Sequence, residues 1–212
     1  MMTKEELLLE LEKRPVPQEL IDIKDQTLKE YNDFFGIILQ RKFKMYIIFT
    51  REEMDIAAEK KTEDWLGGYS FGQKGQIFIF DPEYYNKETG RTIYNLKKLL
   101  KHEIAHLYFG EITKTNKPKW LNEGLAEHLA KKNLKEITIE DAVNCIDYDI
   151  NFTLEQYINS HKLVDLLITK YGKEKLLSLL RSYHNPNEFF SAFQNIYRFE
   201  LTKENLITNL KE

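Results

Sequence analysis

Five consecutive residues of this 212-residue chain, His102-Glu103-Ile104-Ala105-His106, put two imidazoles four positions apart with a carboxylate beside the first. On a helix, positions four apart differ by only about 40° in direction, so both imidazoles can reach one metal ion from the same face. Glu103 is turned about 100° from His102. It does not crowd the ion, yet its carboxylate can reach a water that the ion holds. This is an arrangement for zinc-assisted hydrolysis: the cation lowers the pKa of its water towards 7, and the carboxylate takes the proton and delivers it to the leaving amine. The plainer alternative is a solvated His-Glu-His trio. Leu99, Leu100, Ile104, Ala105 and Leu107 disfavour it, because they make the segment apolar and polar groups on a buried helix need partners.

A catalytic zinc takes three protein ligands and keeps one position open, so two histidines are not enough. After a turn containing Asn116 and Pro118 comes Lys119-Trp120-Leu121-Asn122-Glu123-Gly124-Leu125-Ala126-Glu127. An H-E-x-x-H helix followed by W-L-N-E-G-x-A resembles the gluzincin superfamily of zinc metallopeptidases, in particular its branch related to the aminopeptidases and thermolysin. The resemblance covers residues 65–170 and is strongest at 99–127. It implies a zincin-like fold, peptide-bond hydrolysis, a Zn2+ cofactor and a third metal ligand at the glutamate of N-E-G, which falls on Glu123. A short loop folding the second helix back antiparallel to the first would let that carboxylate complete a His, His, Glu set. Sixteen residues separate His106 from Glu123. That is fewer than the roughly 18 or 19 usual in the group, so the connection must be tighter. Glu111, five residues past the motif, is an alternative ligand. His128 is another, by analogy with the metzincins, although the glycine and histidine spacing of that group is absent.

Glu127 lies one helical turn after Glu123 and shares its face. In thermolysin-like relatives an acid at that offset accepts a hydrogen bond from a zinc-ligating histidine, in line with the general need of metal-bound imidazoles for an outer partner. A solvated surface glutamate is the alternative. The oxyanion of a tetrahedral intermediate also needs a donor besides the metal. Tyr157, in Glu155-Gln156-Tyr157-Ile158-Asn159-Ser160-His161-Lys162-Leu163, resembles the Y-x-x-G/S-x-x-L helix start of the aminopeptidase-like branch, with Ser160 at the small position. That resemblance implies a transition-state donor at Tyr157. An ordinary core tyrosine is the other reading, and His161 is the alternative donor.

The elements that must position these groups can be read from patterning. Residues 3–14 and 17–35 read as two helices separated by Pro15-Val16-Pro17. Lys42 to Thr50 reads as a strand entering a core, and Arg51 to Lys61 as a short helix opened by a Thr50/Glu53 capping box. Tyr69 to Phe71 and Gln76 to Asp81, bracketed by glycines, read as an antiparallel hairpin. In zincins a sheet edge beside the site pairs with an extended substrate, and glycines suit that close approach. The aminopeptidase branch places there an acid that grips the free substrate amine. Gly67 to Phe71 contains none, so endopeptidase activity is expected rather than aminopeptidase activity. From Arg91 to Gly110 the spacing becomes helical, and Pro118 to Lys132 is a second helix. Thr138/Asp141 and Thr153/Gln156 open two more, Gly172 closes the latter, and 173–183, 187–197 and 203–210 complete a helical end.

The composition sets the frame. Lysine and arginine total 31 against 34 acids, for a net charge of −3 with the signs interleaved, which argues against a nucleic-acid binder. The lone Cys145 excludes an internal disulfide scaffold. No apolar run approaches the roughly 20 residues that span a bilayer, and Glu5 and Glu6 interrupt any signal-like start. The expectation is a soluble, cytoplasmic α+β protein without membrane or nucleic-acid partners. It comprises cover helices at 1–40, a zincin core at 41–135 with a small, mostly antiparallel sheet, and a helical part at 136–212, all in one compact unit. Its expected function is zinc-dependent hydrolysis of a peptide or protein substrate. A non-catalytic zincin-fold module that binds a peptide or protein is the alternative. A purely structural zinc is a third reading, which Glu103 disfavours because such a site has no use for a base. Patterning does not specify the oligomeric state.

Overall fold

The computed structural model describes residues 2–89, 95–130, 136–147 and 152–211, and the chain divides into two compact units, Met1–Leu107 and Tyr108–Glu212. It is a mixed α+β protein, mostly helical, with one three-stranded sheet among the described residues.

The first unit begins with helices α1 (Lys4–Leu11) and α2 (Gln18–Phe35). Thr3 opens α1 reciprocally: its hydroxyl accepts from the Glu6 N–H, and the Glu6 carboxylate accepts from the Thr3 N–H at 2.7 Å. The helix ends at Leu11, earlier than the predicted 14, ahead of the two prolines. Arg14 lies beyond it, paired to Glu53 at 2.6 Å and donating to the Ile47 carbonyl at 3.0 Å. Strand β1 (Lys44–Ile48) is followed by α3 (Arg51–Ala58), β2 (Gly68–Phe71), a single 3-10 turn at Gly72–Lys74 and β3 (Gln76–Phe80). Thr50 caps α3 by accepting from the Glu53 N–H, but the predicted box is only half formed. The Glu53 carboxylate takes the Phe49 N–H and Arg14 instead.

The strand order is β1-β3-β2. The hairpin holds, with Gly68 opposite Ile79 and Phe71 opposite Gln76 in antiparallel register. The expectation of a mostly antiparallel sheet is corrected, because β1 and β3 pair parallel, Lys44 opposite Gln76 and Ile48 opposite Phe80. The cause is connectivity: α3 and the hairpin return the chain so that β3 runs alongside β1, and its apolar run Gln76-Ile77-Phe78-Ile79-Phe80 suits a central strand covered on both faces. Gly75 makes the turn possible at φ 61°, where a Cβ would meet the Lys42 carbonyl oxygen at 2.5 Å. Leu7, Leu11, Tyr46, Ile48, Met54, Ala57, Phe78, Phe80 and Tyr85 form the core, with Tyr46 stacked on Phe78 at 5.1 Å.

Helix α4 (Pro82–Thr89) was not expected from its polar composition. Its signal is Asp81-Pro82, an acceptor at the cap and a proline at the first helical position, and the Asp81 carboxylate accepts from the Glu83 N–H at 3.0 Å. The predicted helix start at Arg91 lies outside the described residues. Helix α5 runs over Leu96–Thr113, opened by Asn95, whose side chain accepts from the Lys98 N–H at 2.9 Å. The Tyr31 hydroxyl of α2 donates to the Lys101 carbonyl of α5 at 3.0 Å, and the Lys101 ammonium pairs with Glu30.

The second unit contains α6 (Lys119–Leu129), α7 (Ile139–Ala142) with a 3-10 continuation at Val143–Asp147, α8 (Leu154–Tyr171), α9 (Lys173–Arg181), α10 (Phe189–Tyr197) and α11 (Lys203–Lys211). Thr153 and Gln156 cap α8 reciprocally as expected. Helices α6 and α8 touch at backbone level: a Cβ at Gly124 would lie 2.4 Å from the Ser160 carbonyl oxygen. Trp120, Tyr183, Phe189, Phe193 and Tyr197 form an aromatic core behind them, with Trp120 edge-on to Phe189 at 6.2 Å.

Candidate metal centre

On α5 the two motif histidines face one another. Their Nε2 atoms are 3.1 Å apart and their rings are perpendicular, with centroids at 4.7 Å. Two nitrogens held by one tetrahedral zinc at normal bond lengths are about 3.3 Å apart. The pair is therefore set for a shared ion without rebuilding the helix. His102 is buried and His106 partly so. Glu103 is buried as well, and its Oε1 lies 3.3 Å from where a Cβ would stand at Gly68. The carboxylate thus faces β2, the edge strand, and the missing side chain at 68 makes room for it. A Cβ at Gly72 would lie 3.7 Å from the His106 carbonyl, so the hairpin turn also follows α5 closely.

The third predicted ligand is on α6. Glu123 is buried in the second turn of that helix. Two imidazoles and one carboxylate are a donor set that zinc accepts, so the residue types fit the ion chemically. The short connection is made by the chain after α5. Lys114 adopts φ 57°, the Thr113 hydroxyl donates to the Phe109 and Thr115 carbonyls at 2.8 Å each, and the Asn122 amide reaches the Asn116 carbonyl at 3.4 Å. Among the described residues Glu111 belongs to no group of converging ligand atoms within the second unit, whereas His128 converges with His161 and Asp165 of α8.

The remaining predicted residues have the following places. Glu127 is buried on α6, one turn from Glu123, which excludes the solvated surface reading. Tyr157 is half-buried in the first turn of α8, edge-on to Phe152 at 5.1 Å. Ser160 is buried, with its carbonyl against Gly124. His161 is buried on α8, with Nε2 3.9 Å from an Asp165 oxygen. The Asp165 carboxylate, bonded to His128, was not singled out from the sequence. The i, i+4 spacing of His161 and Asp165 was the available signal. Burial alone would push its pKa up, but the hydrogen bond and charge of His128, with His161 and Lys162 nearby, hold it below the usual range. Burial pushes the Cys145 thiol up to about 12, so it stays protonated and is no nucleophile. Burial also raises Tyr108 on α5 to about 12, keeping it a neutral phenol.

No family model matches the chain. The chain is similar to Uncharacterized protein YhcO of Bacillus subtilis (strain 168), 25% identical over 181 residues, a match that covers 76% of this chain and 53% of YhcO. The chain thus spans about half the length of this relative. Among the described residues no helix is long and apolar enough to cross a membrane.

Proposed function

We propose that this chain is a zinc-dependent peptidase of the gluzincin type, acting within peptide or protein chains. The observation that supports the reading most is the set of three on one helix: two imidazole nitrogens 3.1 Å apart, with the buried carboxylate between them in sequence turned onto the glycine of an edge strand. His102, His106 and Glu123 would hold the ion. Bound there, zinc supplies a Lewis acid for the scissile carbonyl and lowers the pKa of a coordinated water.

The chain's own groups do the rest. Glu103, close to the sheet edge, accepts the proton of the attacking water and returns it to the leaving nitrogen. The open side of β2 offers backbone groups to an extended substrate, which explains why Gly68 rather than a larger residue stands beside the base. Glu127 serves as the outer partner that orients an imidazole, and Tyr157 donates to the developing oxyanion. A purely structural zinc would leave the buried Glu103 without a task.

The test is metal content followed by cleavage. Dialysed protein should retain zinc, lose one equivalent of it in His102→Ala/His106→Ala, and cut a mixed peptide library at internal bonds. Zinc kept in full by the double variant would overturn the metal assignment. A zinc-loaded protein that cuts nothing would overturn the peptidase.

A further inference from the structure

A group of converging ligand atoms, with two of the five histidines of the chain, lies wholly within the second unit. It consists of His128 on α6 with His161 and Asp165 on α8, each offering one atom within 4.8 Å of the others. His161 and Asp165, four positions apart, project from one face of α8. One turn before His128, the Gly124 to Ser160 contact holds the two helices backbone to backbone, so the donors stand on a fixed frame. The Asp165 carboxylate is shared. One oxygen is hydrogen-bonded with His128 Nδ1, and the other lies 3.9 Å from His161 Nε2. His161 is buried, while His128 and Asp165 keep side-chain exposures of 26% and 30%, which leaves an approach from solvent.

We infer that His128, His161 and Asp165 form a second metal site, for a late divalent transition ion such as zinc, that clips α6 to α8. Two imidazoles with one carboxylate select zinc, cobalt, nickel or copper over the oxygen-seeking magnesium and calcium. Ligand atoms around a tetrahedral zinc stand about 3.3 Å apart, so side-chain rotations of about 1 Å close the present arrangement. A plain His128–Asp165 pair would need no second imidazole, yet the other carboxylate oxygen has one 3.9 Å away. Both histidines bind as neutral rings. The ion replaces the proton between His128 and Asp165, which moves to His128 Nε2 or, from an imidazolium, to solvent. The inference does not depend on the peptidase reading.

The experiment strips the protein with chelator and titrates it with Zn2+ by calorimetry, and with Co2+ by its visible absorption. Wild type should take up two equivalents, and His102→Ala/His106→Ala should keep one. On that background Asp165→Asn and His161→Ala should each weaken the remaining site by on the order of 100-fold or more, since losing even an outer partner costs about 10-fold to 100-fold. Asp165→Asn preserves size and is partly exposed, so it decides the matter should His161→Ala fail to fold. A folded His102→Ala/His106→Ala protein that binds no zinc would overturn the inference, as would an Asp165→Asn variant that binds as tightly as its parent.

Discussion

Gly124 and Ser160 meet with no room for a methyl group: a Cβ at 124 would stand 2.4 Å from the Ser160 carbonyl oxygen and 2.7 Å from the Val164 methyl. In an open helix, glycine to alanine gains about 1 kcal/mol of propensity. Here the sign reverses, because the obstacle is backbone. Gly124→Ala should destabilise the protein by about 2–3 kcal/mol, read as a lower urea midpoint. A midpoint at or above wild type would mean that α6 and α8 do not pack this closely.

Glu103→Gln should keep the zinc and the fold while losing about 100-fold to 10,000-fold in peptide turnover, since the base alone is removed. Metal content and activity must separate. Loss of zinc as complete as in a ligand variant would make Glu103 a ligand rather than a base.

Glu53 ties three segments together, accepting from Arg14 at 2.6 Å and from the Phe49 N–H at 2.8 Å while its own N–H is capped by Thr50. Burial would raise its pKa, but these bonds and the Arg14 charge outweigh it and lower the folded value below 4.5. A depressed carboxylate contributes stability that is complete above the unfolded pKa and is lost as pH falls through the folded one. Glu53→Gln should cost about 2 kcal/mol at pH 7, and the difference from wild type should shrink below pH 4. Urea unfolding at the two pH values is the measurement, and a difference that grows in acid would contradict the assignment.

Tyr157→Phe removes a hydroxyl and leaves the ring on Phe152. Turnover should fall by on the order of 100-fold to 1000-fold with KM little changed, the usual cost of one oxyanion donor. Unchanged turnover would return Tyr157 to a packing role and move attention to His161.

What could be read from the sequence was local. The caps at Thr50 and Thr153, the breaks at Pro15 and Gly172, and the facing of His102 and His106 follow from residues within a turn of one another, so pattern alone exposes them. The parallel pairing of β1 with β3 depends on which strand the chain chooses after the hairpin, and no residue in Lys44–Ile48 encodes that choice. The role of Asp165 escaped for a similar reason. Its partner His128 is 37 residues away on another helix, and only the contact at Gly124 reveals that α6 and α8 lie side by side. Helix α4 is a different case, since Asp81-Pro82 announced it and the polar composition obscured it.

The bond from the Tyr31 hydroxyl to the Lys101 carbonyl joins residues 70 positions apart. A chain made from its N-terminus presents the donor long before the acceptor exists. During that interval Tyr31, buried in the folded chain, has no α5 carbonyl to donate to and is open to water. Closing a loop of that length is entropically costly and slow. Ribosome-held fragments ending before residue 101 should therefore display this part of α2 to chaperones and proteases until α5 is made.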